Sequence, residues 1–417
     1  MKRKLLAIIA AGLVLILCLT VVIYWGVTGV TSLEEGITNL SQVLKPRENN
    51  AYRKASYSVS DEKAVKTADR VVASIADKEL TNSVLQVFYW MEVYAYLEDY
   101  GYEAVYYGLD YTQSLDQQTC LITGGTWQQF FLEQAMQKWH RYQAMAMKAE
   151  AEGIALPEQM QSELDSLRQT MTDTVLELDY SGLDAFIQAD MGAGCTFDDY
   201  YQYMDIFYRG YSYLEQQLET VDLSDDAVAT YFSDHEQELQ EQGITRESGN
   251  VADVRHILIA VDGGTEDEDG DLIYSDEDWA ACYDQAQQLL DEWLAGEATE
   301  ESFAQLAHDH SEDAGSNENG GLYESLDTGS GFVPEFIDWY TDESRQTGDY
   351  DIIRTDYGYH LMYFSGSEAK WLRTCRQELM EQQTQAFLDE VIRLYPMEAN
   401  YKRIALAAVD FSEKLNQ

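Results

Sequence analysis

The hydrophobic pattern of this 417-residue chain changes near Gly249, and the change separates two kinds of structure. Before Gly249, apolar residues recur every three or four positions, which is the period of an amphipathic helix. One such series is Val84, Val87, Phe88, Met91, Tyr94 and Ala95. After Gly249, the runs 251–261 and 357–364 are strand-like. We therefore predict an α+β protein in which a sheet-containing unit follows a mainly helical region.

The helical region is predicted to span residues 55–248. Thr126 and Gln129 form a capping-box pattern at the start of one helix, and Gly153 is placed to end it. Thr196 is placed to cap another helix. With only four prolines in the chain, these helices can run long without interruption. Their Tyr- and Met-rich faces have two interpretations: an ordinary core, or an adaptable apolar surface that binds unfolded chains.

The N-terminus carries the pattern of a membrane anchor. Cationic residues at positions 2–4 precede an apolar run over residues 5–30, which is long enough to cross a hydrocarbon core of about 30 Å. Tyr24 and Trp25 stand near its outer end, as interface anchors do. Residues 1–30 are therefore predicted to be an uncleaved transmembrane helix, with the rest of the chain on the extracytoplasmic side of the cell membrane.

Two other interpretations of the N-terminus stay open. A cleaved signal peptide has a shorter apolar stretch, about 7–15 residues, and a small-residue cleavage site. Cys18 would suit a lipoprotein, but the large residue Leu17 stands where a small one is expected.

The residues that follow the predicted anchor, 31–54, are mixed and polar, and we predict that they form a tether.

The charge of the chain limits its partners. Its 27 Lys and Arg residues against 75 Asp and Glu residues give a formal net charge of −48. Such a charge repels phosphate backbones, which excludes nucleic acid as a partner. Hydrophobic residues make up 45% of the chain, and this fraction excludes wholesale disorder.

The common catalytic and metal-binding patterns are missing from the sequence, which contains no GxSxG, no HExxH and no Gly-rich phosphate loop. His308 and His310 would point in different directions on a helix, so we predict no metal site there. Residues 267–270 resemble part of a calcium loop, but a solvated acidic loop is the preferred interpretation. The widely spaced cysteines, which suit free thiols or one disulfide, are Cys120, Cys195, Cys282 and Cys375.

Two histidines lie inside otherwise apolar, strand-like runs. His256 stands in V-R-H-I-L-I and His360 stands in Y-G-Y-H-L-M. A single histidine in a strand is most often a core residue whose hydrogen bonds are satisfied. Two of them, in separate strands of one unit, can meet across neighbouring strands.

Four consecutive motifs follow one another between residues 249 and 366. They are V-R-H-I-L-I, F-A-Q-L-A-H-D-H-S-E-D-A-G-S-N-E-N-G-G-L, F-V-P-E-F and T-D-Y-G-Y-H. In order and spacing they resemble the parvulin-type (PpiC) peptidyl-prolyl cis–trans isomerases. The resemblance implies that residues 249–366 form a parvulin domain, a four-stranded antiparallel sheet with surrounding helices. The layout of the whole chain is similar to that of exported foldases of the PrsA and SurA type.

The segment after the parvulin unit, residues 367–417, is predicted to be mainly helical. Its apolar positions need cover, so we expect it to pack back on the helical region before the parvulin unit. The parvulin domain would then be inserted in a mainly α-helical, chaperone-like domain.

The resemblance assigns roles to five polar residues. His256 and His360 fall on the paired histidines at the base of the family's active site. Asp313 falls where family members carry Asp or Cys facing the target amide. Thr355 and Tyr357 are expected to complete the polar network beneath it.

The resemblance also implies a pocket for the proline ring, formed by Leu322, Phe332 and Phe336. The sequence departs from the family pattern around these residues. Phe332 stands where Met is common, and the stretch that begins at Leu322 lacks the usual G-D-L-G.

The resemblance implies isomerisation of X–Pro bonds in unfolded or partly folded exported polypeptides, with no cofactor and no metal. Rotation about an amide faces a barrier of ~18–20 kcal/mol, which an enzyme can lower non-covalently by binding the twisted amide best. The alternative is a non-catalytic holdase chaperone.

The nine acidic residues within 262–278, with no basic one, predict that a phosphate before the proline is disfavoured.

Overall fold

The computed structural model of the protein describes residues 58–178, 180–266 and 272–409. The predicted membrane anchor and tether lie outside the described residues, and so do residues 267–270 of the acidic loop. Among the described helices, none is long and apolar enough to cross a membrane.

Helices form most of the regular structure. The Thr126–Gln129 capping box and the helix end at Gly153 are confirmed, and Thr196 caps its helix together with Asp199. The helices are α1 (Asp61–Lys66), α2 (Asn82–Tyr100), α3 (Trp127–Glu152), α4 (Glu158–Glu177), α5 (Leu183–Met191), α6 (Phe197–Leu218), α7 (Asp225–Asp234), α8 (Glu236–Glu241), α9 (Asp276–Ala295), α10 (Glu300–His310), α11 (Pro334–Tyr340) and α12 (Lys370–Leu394).

The strands are shorter and form separate sheets. They are β1 (Ser58–Val59), β2 (Val71–Ile75), β3 (Lys78–Thr81), β4 (Asn250–Ala260), β5 (Thr265–Glu266), β6 (Leu272–Ile273), β7 (Leu322–Leu326), β8 (Tyr350–Thr355), β9 (Gly358–Ala369), β10 (Glu398–Ala399) and β11 (Ala405–Leu406). The largest sheet in the described residues has four strands in the order β7–β4–β9–β8. All its pairings are antiparallel, as predicted.

The described residues fall into two compact units, which together mix helix and sheet as predicted. One unit contains residues 58–221 and 381–409, and the other contains residues 222–380 with the four-stranded sheet. The sheet-containing unit is larger than the predicted 249–366 because α7 and α8 pack on the first half of α12. That small core consists of Val228, Phe232, Leu239, Ile244, Cys375 and Leu379.

The mainly helical unit is built around α2, α3 and α6. Tyr203, Met204 and Phe207 of α6 are each less than 5% exposed and belong to one large apolar core. Burial of these side chains supports the interpretation of the Tyr- and Met-rich faces as ordinary core. The interpretation as an open binding surface is wrong for these three side chains, because they are not accessible to a partner.

The C-terminal residues complete this helical unit. Leu388 and Val391 of α12 pack with Ala144 and Tyr213, which is the contact expected of a tail that packs back on the helical region. Beyond α12, β10 pairs with β2 and β11 pairs with β1. The side-chain amide of Asn82 donates to the carbonyl of residue 405 at 2.7 Å and accepts from its N–H at 2.9 Å.

The four-stranded sheet has two covered faces. On one face, Ile257 and Leu361 pack against α9 and α10 in a core that includes Phe303. On the other face, Val254 and Met362 pack against α11. The sequence pattern indicated β4 and β9 because these central strands are apolar on both faces. The edge strands β7 and β8 carry weaker patterns and were not predicted.

A cluster of buried charges lies where β7 pairs with β4. Arg373 donates to Asp253 at 2.7 Å and to Glu368 at 2.8 Å. Glu324 lies in the same cluster, but its Oε2 atom is buried with no hydrogen-bond partner in the described part of the chain. Burial, reinforced by the negative charge of Asp253, raises the pKa of Glu324 to about 8.

We predict that this carboxyl makes stability depend on pH. The folded chain keeps Glu324 protonated where the unfolded chain ionises it, so stability falls as the pH rises from about 4.5 to about 8. At pH 8.5, Glu324→Gln should increase the free energy of unfolding by on the order of 2 kcal/mol. At pH 4 the variant and the wild type should be equally stable in urea unfolding. Glu301→Gln, at an exposed position of α10, serves as the control, and an effect of Glu324→Gln that is equal at both pH values would contradict the prediction.

A candidate active site on the sheet

The two strand histidines meet on the face of the sheet that carries α11. In the β4–β9 register, His256 lies opposite Met362 and His360 lies opposite Leu258, so the two histidines are diagonal neighbours. Their Nδ1 atoms are 3.0 Å apart. Their side chains are buried, and the ring planes lie at 20° to each other. The predicted meeting of His256 and His360 across neighbouring strands is therefore present.

The histidines are part of a continuous chain of hydrogen bonds. His256 Nε2 lies 2.8 Å from Asp313 Oδ2, and His360 Nε2 lies 2.8 Å from Thr355 Oγ1. The Tyr357 backbone N–H donates to the same Thr355 hydroxyl at 3.2 Å. Thr355 is the last residue of β8 and is buried. The structure thus brings together four of the five polar side chains that the resemblance singled out.

The chain of hydrogen bonds fixes which ring nitrogens carry protons. An ionised Asp313 can only accept, so His256 donates to it from Nε2. The Thr355 oxygen accepts from the Tyr357 N–H, so its own proton goes to His360 Nε2. A neutral His360 then donates from Nδ1 to His256. Burial, together with the neighbouring His256, lowers the pKa of His360 to about 3, so His360 is neutral at physiological pH.

Asp313 receives three donors on a single oxygen. Besides His256, the Ser316 hydroxyl donates to Oδ2 at 2.5 Å and the Tyr323 hydroxyl donates to it at 3.0 Å. The hydrogen bond from His256 is the main reason that the pKa of Asp313 lies well below its usual range, and Ser316 and Tyr323 add to this effect against the opposing effect of burial. The second oxygen, Oδ1, receives only the Gly315 N–H, at 3.4 Å, in the described residues.

The loop that carries Asp313 is held along β4. The Glu312 N–H donates to the Leu258 carbonyl at 2.9 Å, and the His256 N–H donates to the Gly321 carbonyl at 2.8 Å. Gly321 has a φ of +75°, and a Cβ atom there would lie 2.2 Å from the His256 carbonyl oxygen. Only glycine allows this close approach, so the Gly-Gly pair of the sequence sets the position of Asp313 relative to His256.

The structure corrects the prediction that Leu322 lines the pocket. Leu322 lies opposite Arg255 in the β7–β4 register, whereas Tyr323 lies opposite Val254. Because successive side chains of a strand point to opposite faces, Tyr323 lies on the histidine face and Leu322 does not. The Tyr323 ring lies 5.5 Å from the His256 ring and 4.8 Å from the Phe332 ring, centroid to centroid. Tyr323 therefore takes the place that was predicted for Leu322.

Two phenylalanines form an apolar wall beside the histidines, as the resemblance suggested. Phe336 of α11 is fully buried, and its ring lies 5.1 Å from the His256 ring and 5.6 Å from the His360 ring. Phe332 stacks on Phe336 with centroids 4.8 Å apart. An apolar aromatic surface therefore adjoins the polar chain, and such a combination suits a ligand with an apolar ring and an amide.

The structure also corrects the role expected of Tyr357. Its side chain is 63% exposed, and only its backbone N–H reaches the network. Sequence reasoning in turn missed Ser316 and Tyr323. Ser316 lies three residues after Asp313 in the same turn, a spacing typical of side chains that hydrogen-bond each other in turns. Tyr323 could have been found from strand alternation, had β7 been predicted.

The structure describes the histidines of α10 and four of the cysteines, whereas the calcium-loop pattern at residues 267–270 lies outside the described residues. No group of three or more His, Cys, Asp or Glu side chains in the described residues is arranged to hold a metal ion. His308 lies at the exposed C-terminal end of α10, with Nδ1 3.1 Å from Asp309. The four described cysteines are free and buried.

The comparison with solved structures finds matches of low sequence identity. PrsA from Bacillus subtilis is 16% identical, with 71% of this chain and 96% of that chain covered and a TM-score of 0.30. PrsA from Streptococcus pneumoniae is 17% identical, with 63% and 83% covered and a TM-score of 0.22. A SurA-like chaperone of Campylobacter jejuni is 16% identical, with 78% and 94% covered and a TM-score of 0.21. Scores of this size do not establish a common architecture.

A protein-family model matches the part of the chain that contains the site. The family model of the PPIC-type PPIASE domain matches residues 238–366, a stretch that contains the whole hydrogen-bond chain and the aromatic wall. No curated protein sequence matches the chain. Residues 238–366 are a PPIC-type peptidyl-prolyl cis–trans isomerase domain, with the paired histidines and Asp313 on one face of its sheet.

Proposed function

We propose that the chain is a membrane-anchored, extracytoplasmic foldase that isomerises X–Pro bonds in exported polypeptides. The observation that carries the catalytic part is the hydrogen-bond chain from Thr355 to Asp313 beside the Phe332–Phe336 wall. The location rests on the sequence alone, on the cationic residues 2–4 and the apolar run 5–30.

The proposed reaction is non-covalent. The aromatic wall holds the proline ring and excludes water, which otherwise favours the planar, conjugated amide. The twisted amide, whose nitrogen and oxygen have lost conjugation, is bound more tightly than either planar form. We assign Asp313 to the face of the amide, where its negative charge acts on the altered charge distribution.

The histidines act in this proposal by holding Asp313 rather than by moving protons. Both ring nitrogens of His256 face partners, His360 on one side and Asp313 on the other. His360 is likewise placed between His256 and Thr355. Neither ring presents a nitrogen to a substrate, which argues against a general base or a nucleophile.

The activity can be tested by the rate of cis–trans exchange in a Pro-containing peptide. We expect the wild-type chain to accelerate exchange and Asp313→Ala to lower kcat/KM by about 100-fold, as loss of one electrostatic contact to a transition state does. His256→Ala, which removes a partner that holds Asp313, should lower it by about tenfold. His308→Ala, at the exposed end of α10, should leave the rate unchanged. Equal exchange rates with and without the wild-type chain would overturn the catalytic proposal.

The acidic loop predicts a substrate preference. Phosphoserine before the proline should lower kcat/KM by about tenfold at low salt relative to serine, because the nine acidic residues of 262–278 repel it. The difference should shrink at 0.5 M salt, where the Debye length is about 4 Å. Replacement of Asp267, Glu268 and Asp269 by their amides should also reduce it. Faster exchange of the phosphopeptide would contradict the prediction.

A holdase is the second candidate, and one surface of the helical unit favours it. Tyr106 is 83% exposed and Leu121 is 66% exposed. The Leu121 N–H donates to the Tyr107 carbonyl at 3.2 Å, which joins the segment that carries Leu121 to the 3₁₀ helix Gly101–Tyr107, which carries Tyr106. Val105 and Ile122 extend this exposed apolar surface, and neighbouring exposed apolar side chains suit the binding of unfolded polypeptides.

The two candidates predict different effects of changes at this surface. Tyr106→Ser combined with Leu121→Ser should weaken suppression of aggregation of a denatured client protein by several-fold and leave peptide exchange unchanged, because the isomerase site lies in the other compact unit. Leu176→Ser, at a 72% exposed position of α4, is the control for loss of any exposed leucine. If the double variant suppresses aggregation as well as the control does, this surface does not bind clients.

A further inference from the structure

Tyr323 contributes two different contacts to the site. Its ring packs against Phe332 at 4.8 Å and near His256 at 5.5 Å. Its hydroxyl donates to Asp313 Oδ2 at 3.0 Å. Burial, together with the negative charge of Asp313, raises the pKa of Tyr323 to about 12, so the phenol keeps its proton at physiological pH and directs it to the carboxylate.

Asp313 needs such a hydrogen bond because it lies in a loop. It stands in a loop three residues after the end of α10, and its side chain is 23% exposed. Loop side chains are mobile unless rigid elements hold them. Ser316 belongs to the same loop and moves with it. The donors that come from the sheet are His256 on β4 and Tyr323 on β7.

The donors also decide which carboxylate oxygen is available. His256, Ser316 and Tyr323 all donate to Oδ2, while Oδ1 receives a single long contact from Gly315 among the described residues. Turning the plane of the carboxyl group away from this orientation would weaken all three hydrogen bonds. Loss of any one donor lowers the resistance to that rotation.

We propose that Tyr323 is a positioning residue that, through its hydroxyl, holds Asp313 with Oδ1 toward the substrate amide. This inference rests on the proposed isomerase function, because it assigns Asp313 to the amide. The hydroxyl acts through Asp313, and the ring acts separately as part of the apolar wall.

The two contributions can be separated by variants. Tyr323→Phe keeps the ring and removes the hydroxyl. We expect it to lower kcat for peptide exchange about tenfold, the effect of one hydrogen bond to a charged group, and to change KM by less than twofold. Tyr323→Leu removes the aromatic contact as well and should raise KM in addition.

A double-mutant cycle with Asp313→Ala, which removes the acceptor, tests whether the hydroxyl acts through the carboxylate. Tyr323→Phe should cost about tenfold in the wild-type background and less than twofold in the Asp313→Ala background. The control is Tyr363→Phe, because Tyr363 belongs to the core on the opposite face of the sheet, and its effect should be the same in both backgrounds. A loss from Tyr323→Phe that is equal in both backgrounds would overturn the proposal.

A second measurement keeps this test independent of the isomerase activity. The same four variants should show coupling in urea unfolding, because Tyr323→Phe should shift the midpoint less when Asp313 is already Ala. If the wild-type chain fails to accelerate exchange but the coupling is present, the proposed function is wrong, while the Tyr323–Asp313 hydrogen bond is confirmed. If exchange is accelerated and no coupling is seen in either measurement, Tyr323 is not a positioning residue.

Discussion

The site depends on the register in which β4 and β9 pair. His256 and His360 are diagonal neighbours only because Ile257 faces Leu361 and Leu258 faces His360. A shift of one residue would turn one histidine to the opposite face, into the core under α9 and α10. Gly358 helps to fix the register at the start of β9, since a Cβ atom there would lie 2.1 Å from the Ile259 carbonyl oxygen. The geometry of the histidine pair is therefore a property of the sheet.

Two carboxyl groups of this domain have pKa values that shift in opposite directions, one through its hydrogen-bond donors and the other through burial. Asp313 and Glu324 are both partly buried, and burial alone would raise the pKa of each. Asp313 has three donors on one oxygen, so its pKa falls well below the usual range. Burial is the main reason that the pKa of Glu324 rises, and the negative charge of Asp253 adds to it. The negative charge of Asp313 is therefore stabilised in the candidate active site.

The site residues with strong sequence patterns could be predicted, and those with weak patterns could not. His256 and His360 were found because a polar residue inside an apolar strand stands out. The family pattern implies Leu322, whereas the strand register places Tyr323 on the histidine face, because Tyr323 pairs with Val254 and Leu322 with Arg255. An error of one residue is small in a helix but exchanges faces in a strand. The contacts of Glu324 depend on α12 and β4 together, and no local pattern in the sequence indicates them.

The same hydrogen-bond chain supports the proposal that the two histidines act without proton transfer. A general base needs a nitrogen that is free to reach the substrate, and in the described residues each nitrogen of His256 and His360 faces a protein partner. The hydrogen-bond chain begins with the backbone N–H of Tyr357, which donates to Thr355, and ends at Asp313, which accepts from His256. Every link therefore runs toward the carboxylate, and the chain stabilises an ionised Asp313 in one orientation. For a reaction that breaks no bond, a fixed charge beside an apolar wall is sufficient chemistry.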